Sequence, residues 1–404
     1  MKAVLCNTSP IKYVLVRYLS RLSPSVIYGP LCLAKFADIP EPELVNEEWV
    51  KIKPIMSGIC GSDIGGLNGQ ESFYLEPYVS KKFVLGHENV GTVAETGKDV
   101  KNLKNGDRVV VIPFLSCTQR GIKELCEYCK RGDYSLCENV NEGSLPAGLS
   151  IGWNSRTSGG WSEYFTAHYS SVIKLPDEIS NEDAVMIDSF SCALHAVMQN
   201  PPKENDKILV YGCGTMGLNI VISIRALGFK NEVTAIYSRK FQGDMAIRLG
   251  ASKIINLRED LFKRIAEITN AKLYFPSIGK PAMEGGVGIV YDCVANPDTI
   301  NNSLRFLKAK GRLVMIATAG VLKNIDIAPL WFRELKIIGS CEQGHEKYRE
   351  SIKSTYQAVI EMLQEKKISL KQLVTHKFPL KDFKLALRTA IGKKEPVIKT
   401  VLYN

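Results

Sequence analysis

The sequence of 404 residues has no long apolar run and no concentrated cluster of one charge. No stretch approaches the ~18 consecutive apolar residues that a membrane-spanning helix needs, so we expect no membrane partner. The 52 basic residues outnumber the 42 acidic ones, which gives a net charge of +10. The basic runs are only pairs, such as Lys81-Lys82 and Lys366-Lys367. A surplus dispersed in this way is typical of a solvated surface and disfavours nucleic acid as a partner.

The N-terminal segment and the cysteines both indicate a reducing compartment. Lys2, Lys12 and Arg17 are spread through the apolar residues of segment 1–20, which lacks the block order of an export signal. The 11 cysteines are odd in number and widely scattered, which argues against a disulfide framework. We therefore expect a cytoplasmic protein, in which clustered cysteines indicate a metal site.

The distribution of strand and helix patterns predicts an α/β protein with two large domains. At ~150 residues per domain, the length corresponds to about 2.7 domains. Residues 1–175 have short β-type segments separated by turn residues, whereas residues 176–344 alternate between strand and helix patterns. Such alternation is typical of a doubly wound parallel sheet. We interpret residues 345–404 as a C-terminal segment that returns to the first domain.

A glycine-rich turn in the second region predicts a dinucleotide site. Residues 207–211 form an apolar strand pattern, and a helical pattern begins after the turn. In this arrangement the three glycines allow the turn, the approach of a pyrophosphate and the packing of helix on strand. A purely structural turn in the same fold class is the alternative. The candidate cofactor-binding residues are Gly212, Gly214, Thr215, Met216 and Gly217.

The end of the next strand favours NADP over NAD. An NAD site usually has a carboxylate about 20 residues after the last glycine, where it binds the ribose 2′-hydroxyl. This position is Tyr237, and it is followed by Ser238, Arg239 and Lys240. A hydroxyl and two cations suit a 2′-phosphate, although Arg239 and Lys240 could also belong to an exposed loop. NAD therefore stays open as an alternative.

Four cysteines within segment 117–137 predict a structural zinc site. Cys117, Cys126, Cys129 and Cys137 lie among polar and turn residues, where four thiolates can close a tetrahedral zinc centre. The gap between Cys117 and Cys126 is long, so Cys117 is the weakest candidate ligand. Four free thiols in a loop are the alternative.

A dispersed set of residues has the composition of a catalytic zinc site. Cys60 lies in the glycine-rich segment 58–63, His87 and Glu88 are adjacent, and Asp188 lies further along the chain. A catalytic zinc needs about three protein ligands of mixed type and one open position for substrate. Each residue alone is a weak signal, and a single histidine is more often structural.

Taken together, these motifs resemble those of the zinc-dependent medium-chain dehydrogenases, the family of alcohol, sorbitol, threonine and glucose dehydrogenases. The resemblance covers almost the whole chain and implies a GroES-like catalytic domain followed by a Rossmann domain. The motifs that carry it are residues 58–63, 85–88, 105–109, 117–137, 159–164, 174–176, 188–195 and 212–217.

The resemblance also implies roles for individual residues. Cys60 and His87 correspond to the first two catalytic zinc ligands, and Glu88 to a carboxylate that binds the metal in polyol-type members. Asp188 stands where the family has its remaining ligand, and an aspartate there is similar to NADP-dependent secondary alcohol dehydrogenases. Ser62 matches the hydroxyl that contacts the substrate oxygen and begins proton transfer.

Gly65 is the main departure from the family pattern. Many members have a histidine at this position as the outer proton-relay group, so here the proton must leave by another route. Two further departures are apparent additions at residues 12–40 and 274–284.

The function implied is a zinc-dependent oxidoreductase that transfers hydride between a secondary alcohol or polyol and NADP, giving a ketone or aldehyde. A sugar, polyol or threonine-type dehydrogenase that uses NAD or NADP is an alternative. A non-catalytic dinucleotide-sensing protein on this scaffold is an alternative of another class, but Cys60, His87 and Glu88 are all present. We expect a small-molecule alcohol or carbonyl substrate and a homo-oligomer, either a dimer or a tetramer.

Overall fold

A computed structural model describes residues 1–317, 320–392 and 395–404 as two compact units. The first unit contains Met1–Asp188 together with Gln343–Asn404, and the second contains Ser189–Glu342. The first boundary falls within a helix, after the sequence-based position at residue 175. The second boundary follows Glu342, two residues before the predicted boundary at residue 344.

The strands and helices are numbered in chain order. The strands are β1 (Lys2–Asn7), β2 (Ala34–Asp38), β3 (Trp49–Gly58), β4 (Lys82–Val84), β5 (Asn89–Thr96), β6 (Arg108–Val111), β7 (Phe165–His168), β8 (Val172–Lys174), β9 (Ile208–Tyr211), β10 (Val233–Tyr237), β11 (Lys253–Asn256), β12 (Lys272–Tyr274), β13 (Ala282–Glu284), β14 (Val287–Asp292), β15 (Leu307–Met315), β16 (Lys336–Gly339), β17 (His345–Tyr348), β18 (Ser351–Ser354), β19 (Val374–Pro379) and β20 (Lys399–Tyr403). The helices are α1 (Pro10–Leu22), α2 (Gly61–Leu67), α3 (Glu127–Arg131), α4 (Asn181–Ala184), α5 (Ile187–Gln199), α6 (Thr215–Ala226), α7 (Lys240–Arg248), α8 (Leu261–Thr269), α9 (Pro297–Phe306), α10 (Ala328–Phe332), α11 (Thr355–Gln364) and α12 (Phe383–Gly392). Short 3-10 helices lie at Pro24–Ile27, Phe73–Tyr78, Tyr134–Leu136, Tyr169–Ser171, Lys371–Leu373 and Leu380–Asp382.

The first unit is built on a seven-stranded sheet that joins the two ends of the chain. Its order is β19-β20-β3-β5-β6-β8, and β7 also pairs with β3. The C-terminal strand β20 runs antiparallel to β3, with Val401 opposite Gly58. A second sheet has the order β2-β1-β4. Apolar residues of the seven-stranded sheet, including Trp49 and Phe165, form one buried core cluster.

The second unit is a doubly wound parallel sheet. Its order is β11-β10-β9-β14-β15-β16, and every neighbouring pair is parallel. The central strands β9 and β14 are buried along their whole length, as strands covered by helices on both faces must be. The strand order reverses between β9 and β14, which is where such sheets bind ligands at their carboxyl ends. The predicted α/β fold class is confirmed.

Both apparent additions form regular structure. The addition at residues 12–40 contains most of α1, which begins with a proline in its first turn and buries Val16. Val16 joins a core cluster that also contains Trp153, Trp161 and Phe383. The addition at residues 274–284 contains most of the antiparallel hairpin of β12 and β13.

No helix in the described part of the chain has both the length and the apolar character needed to cross a bilayer.

Candidate active site

Three of the predicted catalytic ligands lie together in the first unit. One ligand atom from each of Cys60, His87 and Glu88 lies within 4.8 Å of the others. Cys60 is the N-cap of α2, and the other two residues lie between β4 and β5. Gly86 has φ = +99°, and a Cβ there would lie 2.3 Å from the Trp161 ring. Only glycine therefore allows the backbone turn that places His87.

Asp63 connects two of these candidate ligands. Its Oδ2 accepts a hydrogen bond of 2.8 Å from the backbone N–H of Cys60. Its Oδ1 lies 3.5 Å from Nδ1 of His87, which leaves Nε2 of the ring available to a metal. Burial lowers the pKa of His87, but the Asp63 carboxylate outweighs this effect and raises the pKa well above its ordinary value. This role of Asp63 was not predicted from the sequence, where its only signal is the Cys60-x-x-Asp63 spacing of a capping box.

Glu88 forms a buried ion pair with Lys399. The side chains of Lys399 and Glu88 are only 3% and 1% exposed. Gly58 provides space for this pair, because a Cβ there would lie 1.9 Å from Oε2 of Glu88. Burial lowers the pKa of Lys399, but Glu88 and Cys60 raise it above its ordinary value. Lys399 was not predicted from the sequence, where its only signal is a cation at the start of the apolar strand β20.

Asp188 and Ser62 have different positions relative to this group. Asp188 is buried, and its Oδ1 accepts a hydrogen bond from the Tyr356 hydroxyl. It is not a member of the three-residue ligand group found among the described residues, although its charge acts on Lys399. Ser62 lies in the first turn of α2, two residues after Cys60.

The donor set of the group fits zinc. A thiolate and an imidazole are ligands that zinc prefers, and a carboxylate completes a mixed set of three. Three protein ligands leave one tetrahedral position for a substrate oxygen. Cys60, His87 and Glu88 are therefore the residues that would hold a catalytic zinc, with Asp188 as a further candidate.

The four cysteines of segment 117–137 also lie together. Their Sγ atoms all lie within 4.8 Å of one another, and those of Cys117 and Cys137 are 3.6 Å apart. Sγ of Cys117 accepts hydrogen bonds from the Cys126 N–H at 3.5 Å and the Asn139 Nδ2 at 3.3 Å. Burial raises the pKa of Cys126, but backbone N–H groups, first that of Glu138, outweigh it and lower the pKa to about 7. Four clustered thiols with such donors fit a closed structural zinc site.

The long gap between Cys117 and Cys126 has a structural explanation in Arg120. This side chain is fully buried, and its guanidinium donates to the carbonyl oxygens of Leu115 at 2.9 Å and Gly148 at 2.7 Å. Arg120 therefore ties the loop between Cys117 and Cys126 to the segments before and after it, and Sγ of Cys117 still lies within 4.8 Å of the other three sulfurs.

The glycine-rich turn of the second unit has the shape of a dinucleotide site. Gly212 follows β9 with φ = +95°, and Gly214 is the N-cap of α6. A Cβ on Gly217 would lie 1.8 Å from the Gly212 carbonyl oxygen, whereas a Cβ on Gly214 would meet nothing within 4 Å. Gly217 thus allows close packing of helix on strand, and Gly214 leaves open space beside the N-terminus of α6. Thr215 and Met216 form the first turn of this helix, where unpaired N–H groups can bind a pyrophosphate.

The residues after β10 differ in their contacts. Ser238, Arg239 and Lys240 are all exposed at the carboxyl end of the strand. Both carboxylate oxygens of Asp244 accept hydrogen bonds of 2.8 Å from Nζ of Lys240. Ser238 donates to Gln242 at 3.2 Å. Lys240 thus already has an anionic partner, so Arg239 is the better candidate for binding a phosphate.

Two family models together match most of the chain. The model of the alcohol dehydrogenase GroES-like domain matches residues 46–177. The model of the zinc-binding dehydrogenase matches residues 215–363.

Curated relatives and solved structures agree with these matches. The chain is 30% identical to D-arabitol-phosphate dehydrogenase of Enterococcus avium, over 87% of this chain and 89% of the relative. It is 28% identical to sorbitol dehydrogenase of Bacillus subtilis, over 91% of this chain and 94% of the relative. The fold is similar to that of 2R,3R-butanediol dehydrogenase from Bacillus subtilis, with a TM-score of 0.71, 24% identity and coverage of 100% of this chain and 99% of that chain. The chain therefore belongs to the zinc-dependent medium-chain alcohol dehydrogenase family, whose members are oxidoreductases that act on CH–OH donors with a nicotinamide cofactor.

Proposed function

We propose that the protein oxidises a secondary alcohol or a polyol to the ketone or aldehyde and transfers the hydride to NADP. The observation that carries this proposal is the group of Cys60, His87 and Glu88, whose ligand atoms lie within 4.8 Å of one another. A zinc ion held there would act as a Lewis acid that polarises the substrate oxygen and lowers the pKa of its hydroxyl.

The residues around this group have separate tasks in the proposed reaction. Ser62 accepts the hydroxyl proton of the substrate and passes it on. Asp63 contacts Nδ1 of His87 and holds the ring so that Nε2 faces away from the Asp63 carboxylate. Lys399 balances the buried charge of Glu88. A nicotinamide dinucleotide held by the residues of the glycine-rich turn would supply the acceptor for the hydride of the alcohol carbon.

The cofactor preference is tested at Arg239. A guanidinium binds phosphate oxygens bidentately, and no carboxylate stands at the end of β10 to bind a free ribose hydroxyl. We expect Arg239→Ala to raise KM for NADP and to leave KM for NAD unchanged, as measured by initial rates with each cofactor. Lys230→Ala, which removes a cation of the second unit outside the site, is the control. A wild-type preference for NAD above about tenfold, equivalent to ~1.4 kcal/mol, would overturn the assignment.

The substrate class is tested with a panel of secondary alcohols, polyols, aldoses and threonine. The relatives named for sorbitol and D-arabitol phosphate favour a polyol, with or without a phosphate, over a simple secondary alcohol. Cys60→Ala and His87→Ala are each expected to abolish turnover while the circular dichroism spectrum stays unchanged. Full activity in either variant would overturn the catalytic assignment.

We also propose a homodimer formed through β16. This strand is an edge of the sheet in the described part of the second unit, so one row of its N–H and C=O groups has no strand partner there. Trp331 and Phe332, just before β16, are 82% and 70% exposed, and Ile337 on β16 is 40% exposed. An exposed apolar patch beside a free edge favours pairing with a second copy.

A further inference from the structure

Glu71 is a half-buried carboxylate that lies over the glycine at the centre of α2. A Cβ built on Gly65 would lie 3.1 Å from Oε1 and 3.3 Å from Cγ of Glu71. The side chain of Glu71 therefore occupies the space that a side chain at Gly65 would need.

A cavity of ≈ 230 Å³ lies beside this carboxylate. Its lining includes Glu71, Gly66, Phe73 and Trp153, and α1 contributes Tyr13. Phe73 is 52% exposed, so the cavity opens to the surface at this side. At ~30 Å³ per molecule, the volume holds several waters.

Ser62 lies on the same face of α2 as Gly65 and Gly66. Residues three and four apart are neighbours on a helix surface, one turn or about 5 Å along the axis. Gly65, which the Glu71 carboxylate covers, is thus one turn from Ser62 on this face, and Gly66 on the same face lines the cavity.

We propose that Glu71 accepts, through water and Ser62, the proton that alcohol oxidation releases, and passes it to solvent through this cavity. This inference rests on the proposed function. In the reaction the alcohol carbon loses hydride to the nicotinamide, and the hydroxyl loses its proton to Ser62. Ser62 gives its own proton to water, and that water protonates Glu71, so no further oxidant or reductant is required.

The charges around Glu71 suit a proton acceptor that works near neutral pH. Burial and then Asp63 raise the pKa of Glu71, His87 lowers it, and the result is about 7. From α1, Nη1 of Arg17 donates to the backbone carbonyl oxygen of Glu71 at 2.9 Å. Burial and then the Glu71 carboxylate raise the pKa of Tyr13 to about 12. The remaining charged groups of the cavity lining are Glu76 and Lys81. An acceptor with a pKa near the working pH takes up and releases protons most efficiently.

The test compares Glu71→Gln with wild type in alcohol oxidation by the zinc-loaded enzyme between pH 5 and 9. We expect Glu71→Gln to lower kcat by about tenfold or more at pH 7, with KM for the alcohol unchanged. The rise of kcat with pH near neutrality should disappear in this variant. Added imidazole or formate, which can enter the cavity, should restore kcat in proportion to its concentration. Glu71→Asp should retain part of the activity.

Glu76→Gln is the matched control, because Glu76 lines the same cavity but is exposed. It should behave as wild type in rate, pH profile and response to imidazole. Wild-type kinetics in Glu71→Gln would overturn the proton route alone. A loss of rate that neither buffer nor pH alters would assign Glu71 a structural role and also overturn it. Absence of alcohol turnover in the zinc-loaded wild type would overturn the proposed function, and the proton route with it.

Discussion

At the scale of single residues, Asp63 and Lys399 organise the candidate metal site from outside the ligand set. Asp63 is completely buried, and its carboxylate contacts the backbone N–H of Cys60 and the ring of His87. Lys399 is the cation beside Glu88 when no metal is bound. Replacing Asp63 or Lys399 should therefore affect zinc binding in different ways.

Asp63→Asn should weaken zinc binding at the catalytic site by about 10–100-fold, because the ring of His87 loses its orienting carboxylate. Competition with a chelator, followed by metal analysis of the protein, measures this change. The exposed Asp99→Asn is the control and should bind zinc as wild type does. Equal zinc affinity in Asp63→Asn would contradict the role given to Asp63.

Lys399→Met should destabilise the metal-free protein by about 3–5 kcal/mol, because it leaves the Glu88 carboxylate buried without a partner. Zinc provides a positive charge at the same place, so the rise in Tm on zinc addition should be larger in the variant than in wild type. Denaturation with and without zinc measures both effects. Lys377→Met, which breaks the exposed pair with Glu182, should cost only ~0–1 kcal/mol. A Lys399→Met protein as stable as wild type without zinc would refute the argument.

At the scale of elements, two glycines between β9 and α6 have different structural roles. Gly217 is needed for the fold because its Cβ would overlap the Gly212 carbonyl, whereas Gly214 faces open space. Substitutions at the two positions should therefore affect stability and cofactor binding differently.

Gly214→Ala should keep the Tm within a few degrees of wild type and weaken NADPH binding, since the added methyl group occupies the path of the pyrophosphate. Gly217→Ala should lower both the Tm and NADPH affinity, since helix and strand must move apart. Fluorescence titration and thermal denaturation give the two readouts for each variant. An unchanged Kd for NADPH in Gly214→Ala would contradict this reading of the turn.

Local motifs were predictable from sequence, and contacts between distant segments were not. Neighbouring residues with a fixed spacing predict the turn at Gly212 and the Cys126-x-x-Cys129 pair. The alternation of strand and helix patterns predicts the parallel sheet. Lys399 and Glu71 meet their partners only through sheet pairing and packing, so spacing along the chain carries no sign of them. The function of Arg120 was likewise hidden, because its partners are backbone carbonyls of surrounding loops.

At the scale of the whole molecule, the free edge at β16 predicts the oligomeric state. We expect a dimer in solution, measured by light scattering after size-exclusion chromatography. Ile337→Lys combined with Trp331→Glu should give a monomer, because charge on an edge strand opposes pairing. The control is Leu15→Lys, which also replaces an exposed apolar side chain by a charge, but on α1. This variant should leave the dimer intact. A wild-type monomer, or a dimer in the double variant, would contradict the proposed interface.

The pairing of β20 with β3 has a consequence for how a cell makes this protein. Strand β20 spans Lys399–Tyr403 and its partner β3 spans Trp49–Gly58, so the whole second unit lies between them along the chain. Domains fold during synthesis as their residues emerge from the ribosome, so the second unit is complete while the first still lacks its closing strand. Until β20 has been synthesised, the carboxylate of Glu88 has no ammonium beside it and β3 lacks its pairing with β20. A chain that lacks β20 thus carries a complete second unit and an unfinished candidate metal site, because Lys399 on β20 is the partner of Glu88.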